Sequence, residues 1–394
     1  MTINYSTRTE NIEYAIRDLV VIAQKFENVL YLNIGDPNIF DSRTPQHMIE
    51  AAYEAMNKNY NGYAPAEGIL EGRQAIVEDA KKKNIKCTVN DVIITTGVSE
   101  AIELALCALM NAGENFLIPV PGYPLYSALV SKLDTELNTY ELSESNGWQP
   151  DLDSITNAIN PKTKAIIIIN PNNPTGSVCD KVTLKEILKV AGENNLVVFA
   201  DEIYDKLVFE KEHVPLAAIA GDVPVITFNG ISKSYLAPGW RIGWMIFQNP
   251  NECMTSYVEA IRKLVRARLC ANQPLQYGIK PALLGPQDHL KEFLGKLRTR
   301  GAFTEKRMNE IPGIKCNPIT GAFYAFPTIE MDKFDFKTDK DFIVALLKEE
   351  RVLCVNGSGF GRPGAFRIVF LPPMETLEEA YNRIEAFCRR HYIK

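Results

Sequence analysis

No stretch of this chain reaches the roughly 18 consecutive apolar residues that a membrane-spanning helix requires. Met1–Glu10 is polar and lacks the basic-then-apolar pattern of an export signal. The expectation is a cytoplasmic protein with no membrane partner. Histidine is scarce, and the four present, at 47, 213, 289 and 391, share no local ligand motif. The eight cysteines, at 87, 107, 179, 253, 270, 316, 354 and 388, form no pair at metal-knuckle or redox spacing. Several lie in apolar stretches such as Leu104–Leu109, where cysteine behaves as a small hydrophobe. No metal is expected. Charge of one sign is missing too: the formal net charge of −5 gives no electrostatic reason to expect nucleic acid as a partner. Internal repeats, low-complexity tracts and long flexible linkers are also absent.

What is present is an ordinary soluble composition, 46% hydrophobic and 23% charged, in 394 residues. That length suits two packed domains or one very large one. After a polar lead-in, the Ile16–Ala23 stretch has helical spacing, and Val29–Ile34 reads as a strand. Met48, Ile49, Ala52 and Met56 have the period of an amphipathic helix, as do Ile69, Ile76, Val77 and Ala80. From Asp91 onward the texture is strand, loop, helix, repeated. The apolar runs Ala165–Ile169 and Leu196–Ala200 read as strands buried on both faces, as in a parallel sheet. Thr183-Leu184-Lys185-Glu186 reads as a capping box opening the helix between them.

Residues 281–394 differ, with long helical patterns around short strands at Gly321–Phe326 and Phe366–Phe370. The reading is an α/β protein. A large domain, 41–280, holds a mixed, mostly parallel sheet in an α/β/α sandwich; a smaller α+β domain, 281–394, is completed by the segment 1–40.

Sites in such sheets lie where strands meet the following loops, and several residues there call for a partner. Asp201 ends an apolar strand, and a buried carboxylate needs a cation or hydrogen-bond donors. A helix cap or a structural salt bridge is the plain alternative. Gly97-Val98-Ser99 opens a helix, whose unpaired N–H groups attract anions, although many helices begin this way. Asn170–Gly176 is a rigid proline-rich loop from which an asparagine amide can be aimed. Arg367 sits inside the apolar Ala365–Phe370 strand and must find an acceptor; its planar fork suits a carboxylate, in a ligand or in a structural ion pair. Lys233, in Ser232-Lys233-Ser234 with Arg241 eight residues on, would pass for a surface lysine if taken alone.

Taken together and in this order, these segments resemble the class I pyridoxal-phosphate (PLP) aminotransferases, from about Tyr14 to the last helix. Asn229–Trp244 and Arg268–Pro274 look especially like the bacterial and archaeal alanine-type members. The resemblance implies that Lys233 carries PLP as a Schiff base and that Asp201 pairs with the pyridine nitrogen. It assigns Tyr204 and Asn173 to the phenolic oxygen, and Tyr123 to stacking on the ring. Gly97, Val98, Ser99, Ser232 and Arg241 would bind the phosphate, joined by Tyr63 from a neighbouring subunit, which makes the expected unit a homodimer. Arg367, with Asn173 and Gly35, would hold the substrate carboxylate. The chain departs from many members at Gly230, where they have serine or threonine. Tyr14 and Arg17 fall in a segment that covers the site in similar chains, and a plain surface role is open for both.

The implied activity is ping-pong transamination, with alanine as donor and 2-oxoglutarate as acceptor. Aspartate or an aromatic amino acid is the alternative substrate, and a C–S β-lyase the alternative outcome on the same site. A PLP-dependent transcription regulator would need a DNA-binding domain for which the thirty or so residues before Asn33 leave too little chain. Arg262, Lys263, Arg266 and Arg268 read as a solvated or interface face rather than a clamp for a second substrate carboxylate.

Overall fold

The structure, a computed structural model, describes residues 3–10, 12 and 15–393. Its centre is an eight-stranded sheet in the spatial order Val92–Thr95, Gly243–Gln248, Val225–Gly230, Val197–Asp201, Thr163–Ile169, Asn115–Val120, Glu136–Ser143 and Gln149–Pro150. Gly243–Gln248 runs antiparallel to both neighbours and Gln149–Pro150 antiparallel to its one; the other pairs are parallel.

The uninterrupted apolar runs follow from burial on both faces. Ile166 and Ile168 pack with Leu184, Ile187 and Leu188 of the helix Lys181–Glu193 on one side. Ala165, Ile167 and Ile169 pack with Ile102, Ala105 and Leu106 of Val98–Leu109 on the other. Alternate residues of one strand thus feed two helical layers.

The parallel strands all end at one edge of the sheet. There Ile169 is level with Asp201 and Asp201 with Phe228, while the antiparallel strand starts level with Gly230 and Thr95 at Gly243. Every chemistry-bearing loop of the large sheet therefore leaves from the same rim.

The first and last parts of the chain close over that rim. Leu30–Tyr31 pairs in parallel with Val352–Leu353, and Leu32 accepts from the Val369 N–H at 2.9 Å. Phe366–Val369 lies between Val355–Asn356 and Tyr324–Ala325. A separate apolar core joins Leu19, Ala23 and Leu32 to Leu297, Phe342, Ile368 and Phe387.

Three local expectations are corrected. The strand expected over Val29–Ile34 narrows to Leu30–Tyr31, because Asn33 turns its carbonyl to Arg367 instead of a ladder partner. Thr183 does not cap: the helix starts at Lys181, placing Thr183 inside it. Asp180 at the cap position makes no capping bond, and its carboxylate meets Lys211 at 2.8 Å. Helix Gln46–Asn57 buries Met48, Ala52 and Ala55, leaving Ile49 and Met56 each 41% exposed.

Candidate active site

Where the rim meets the smaller lobe there is a cavity of about 460 Å³. Gly35, Val98, Ser99, Tyr123, Asn173, Asp201, Tyr204, Ser232, Lys233, Arg241 and Arg367 all line it. Gly97 lies directly beneath Arg241. Tyr63 is elsewhere, 83% exposed on the outside of its own chain. Tyr14 lies outside the described residues, whereas Arg17 lines the cavity. Three further lining or supporting residues gave no signal in the sequence beyond their own identity: Asp36, Tyr126 and Tyr324.

Asp201 is buried at its strand end. Its carboxylate accepts from Tyr126 Oη at 3.0 Å and from Ile203 N at 3.5 Å. Both donors are neutral, and among the described residues no cation forms an ion pair with it. Burial consequently raises the carboxyl to about 6, against the lowering effect of those two bonds and of the Lys233 charge. A buried acid stabilised by neutral donors is ready for a cationic ligand atom. The Tyr126 phenol is itself pushed well above its ordinary range by burial and by Asp201, so it remains a donor.

Lys233 Nζ donates to the Gly35 carbonyl at 2.8 Å. Burial lowers the ammonium to about 8; Asp36 opposes this, while Arg367 and Arg241 reinforce it. A lysine in this state keeps a useful neutral fraction near neutrality, as a nucleophilic or basic amine must. Tyr204 Oη and Tyr324 Oη are 2.9 Å apart, and burial followed by Tyr324 raises the Tyr204 phenol well above its usual range.

The anion cradle is built from glycines. Gly97 has φ +78° and caps Val98–Leu109 without a side-chain bond; Glu100 N donates to the Gly97 carbonyl at 3.2 Å, and Val98 and Ser99 before it line the cavity, where a helix start attracts an anion. A Cβ at Gly97 would lie 2.4 Å from Arg241 Nη2, and one at Gly243 would lie 2.5 Å from Val98 N. The arginine and the strand backbone close on the helix start only because both side chains are absent. Gly230 has a related cause: a Cβ there would meet the Ile242 carbonyl at 2.8 Å and Gly243 Cα at 3.0 Å. A serine or threonine hydroxyl has no room without a backbone shift.

Arg367 is 1% exposed. It donates to Asn173 Oδ1 at 3.0 Å and to the Asn33 carbonyl, and its guanidinium lies 4.7 Å from the Tyr324 ring centre and 4.9 Å from that of Phe360. Both acceptors are neutral oxygens and the two rings lie against the planar fork, a setting that suits a carboxylate. The four cations of the helix Thr255–Arg268 do not reach the cavity. Arg266 pairs with Glu259 at 2.5 Å, Arg262 donates to the Asn90 carbonyl, and Arg268 meets Glu100 at 3.7 Å.

Beside Asp201 but outside the cavity lies Glu202, 2% exposed. It accepts from Leu216 N at 2.8 Å and lies 4.0 Å from His213 Nε2. Burial raises its carboxyl to about 8; Asp205 and Asp201 add to this, and the Leu216 bond and Lys83 oppose it. Below the ordinary carboxyl range both folded and unfolded forms are protonated, and the group's contribution to stability is fully present. It is lost as pH rises through about 8. Glu202→Gln keeps the acceptor for Leu216 and removes the titration. The Tm of the variant minus that of the native chain should therefore rise between pH 5 and 8, as measured by calorimetry.

The family model described as "Aminotransferase class I and II" matches residues 27–384. The chain is 40% identical to the glutamate-pyruvate aminotransferase AlaA of Haemophilus influenzae, with 97% of each chain covered. Among solved structures, an alanine aminotransferase from Pyrococcus furiosus superposes with a TM-score of 0.96 at 46% identity, covering 98% of this chain and 100% of that one. A tyrosine aminotransferase from Leishmania infantum superposes with a TM-score of 0.93 at 29% identity, covering 100% of both.

Proposed function

This chain belongs to the class I and II aminotransferases, and from that premise we propose that it is an alanine-type enzyme. It moves the amino group of an L-amino acid, alanine first, to a 2-oxo acid, 2-oxoglutarate first, in a ping-pong sequence with PLP as cofactor. The observation that carries the reading is one cavity lined by Lys233, whose ammonium burial lowers to about 8, by Asp201, a buried acid with no ion-pair partner among the described residues, and by Arg367, whose guanidinium lies against the Tyr324 ring.

PLP fits the donor set: Lys233 would hold its aldehyde carbon, Asp201 its ring nitrogen, and Tyr204 and Asn173 its phenolic oxygen. Tyr123 would cover the ring face, and the Gly97–Ser99 helix start with Ser232 and Arg241 would take the phosphate. When bound, it supplies an electron sink for negative charge at the substrate Cα. The chain's own residues do the rest. Arg367 and Asn173 fix the substrate carboxylate, so that Cα is presented in one orientation. The Gly35 backbone carbonyl accepts from the lysine amine. The Lys233 amine would take the proton from Cα as general base. Asp201, ionised, would hold a protonated ring nitrogen.

Alanine and glutamate differ by a distal carboxylate, and Arg17 is the cation placed to meet it. It lines the cavity beside Ile16, and among the described residues no carboxylate pairs with it. Arg17→Gln should raise KM for glutamate and 2-oxoglutarate about 10-fold and leave KM for alanine and pyruvate nearly unchanged. Half-reaction rates over a panel of amino acids, followed by cofactor absorbance, test the substrate reading. Aspartate or tyrosine outpacing both alanine and glutamate would overturn it. Stoichiometric pyruvate, ammonia and thiol from a cysteine S-conjugate, with no oxo-acid acceptor, would turn it into a C–S β-lyase.

The same reading takes residues 41–280 as the cofactor domain and 281–394 with 1–40 as the smaller one, in a cytoplasmic homodimer. Ile49, Tyr53 and Met56, outward on one helix face, support a second copy as partner, and Tyr63 would then reach that copy's phosphate. Among the described residues no helix is long and apolar enough to cross a membrane.

A further inference from the structure

The turn that carries Asp201 and Tyr204 shows one side to the cavity; on its hidden side is a charged cluster that the reaction does not use. Asp205, 6% exposed, is met by Lys83 Nζ at 2.7 Å. The same ammonium meets Asp79 at 2.7 Å, and Lys206 reaches Asp79 at 3.4 Å. Lys83 immediately follows the helix Leu70–Lys82, and Asp79 lies within it, so the cluster ties that helix to the turn. His213 and Tyr235 feel the same charges from the neighbouring loops.

We propose that Lys83 is a positioning residue for the reaction: through Asp205 it clamps the 201–207 turn from behind and so sets where Asp201 and Tyr204 stand in the cavity. The geometry is specific. Within the turn, Asp205 N donates to the Glu202 carbonyl at 3.0 Å and Leu207 N to the Tyr204 carbonyl at 2.8 Å. The turn is thus a short, internally bonded unit: Tyr204 moves with its backbone, and Asp201, the last residue of the strand Val197–Asp201, is the end from which it leaves. Asp205 is its charged handle, and the handle is buried. A carboxylate at that depth is held by its cation and cannot drift into water. Helix Leu70–Lys82 gives Lys83 a rigid base, since Ala75, Ile76 and Ala80 are packed against the strand Val92–Thr95 and helix Ile279–Leu284.

Asp79 provides an internal comparison, because it shares the Lys83 ammonium and takes only the longer contact, 3.4 Å, from Lys206 of the turn. Removing it cuts that longer contact and leaves the direct Lys83–Asp205 link in place. The inference rests on the functional reading above for the roles of Asp201 and Tyr204, and the test separates the two. Asp205→Asn and Asp79→Asn are each purified with PLP, and hydrogen exchange of the 202–207 segment, kcat and the pH midpoint of the bound-cofactor absorption are measured. Both variants should melt earlier than the native chain. In Asp205→Asn alone, the segment should exchange about 10-fold faster, kcat should fall about 10- to 100-fold with little change in KM, and the absorption midpoint should move. Lys83→Met should follow Asp205→Asn, and Lys83→Arg should recover part of the loss. Equal exchange, kcat and midpoint in the two aspartate variants would reduce the cluster to a stability element and overturn the proposal. Faster exchange in Asp205→Asn of a chain that proved to lack transaminase activity would uphold the clamp and refute the functional reading.

Discussion

Lys233→Ala should bind PLP without the absorption of covalently held cofactor and should lose turnover by about 100,000-fold or more. The size follows from two duties lost together. In the proposed reading the amine is the covalent anchor and also the base that takes the substrate Cα proton. Among the described residues no other amine lines the cavity, and its other cations, Arg17, Arg241 and Arg367, are guanidiniums that do not give up protons. Lys233→Arg should therefore be nearly as inert, which distinguishes the amine's chemistry from its charge. With the native chain, capture of added PLP should speed up as pH rises and level off above about 8, where burial has brought the ammonium. Near-normal transamination by Lys233→Ala would refute the assignment.

Asp201→Asn should keep its fold and most of its PLP, yet lose about 1,000-fold in kcat. The amide oxygen still accepts from Tyr126, so packing and geometry are retained. What disappears is the negative charge that would hold a ring nitrogen in its protonated form. The comparison matters because a helix cap or hydrogen-bonding role, the structural alternative for an acid at a strand end, survives the change to asparagine. Single-turnover rates of alanine deamination, read from the cofactor absorption, measure the effect. A variant within about 10-fold of the native rate would assign Asp201 to structure alone.

How much of this could be read from the residues depends on where the physical cause lies. Ala165–Ile169 was legible because strands buried on both faces must be apolar throughout. The loop residues Asn173, Asp201 and Lys233 were legible because a rim of parallel strand ends collects them, and the cavity does hold all three. Glu136–Ser143 was missed: it lies near the sheet edge, so Glu136, Leu137 and Glu141 are exposed and no apolar run marks it. Helix Gln46–Asn57 was found but turned, since apolar residues occupy two of its faces and periodicity alone cannot say which is buried. Tyr126 was invisible because its role is a contact with a residue 75 positions away. The Lys83–Asp205 pair escaped for the same reason, its members lying 122 positions apart. The glycine at 230 marked only a departure from similar chains until the Ile242 carbonyl showed what the missing side chain makes room for.

The arginine fork at 367 donates to the backbone carbonyl of Asn33, and the strand just before that asparagine lies alongside Val352–Leu353. Asn33 therefore leaves the ribosome 334 residues ahead of the arginine that will bond it. Nascent chains halted before Arg367 would carry Lys233 and the Gly97–Ser99 helix start but not the fork proposed to hold a carboxylate. Contacts spanning such distances also slow the search for the native arrangement. Vitamin capture during synthesis, if it begins early, would precede catalytic competence by the time needed to finish and dock the tail.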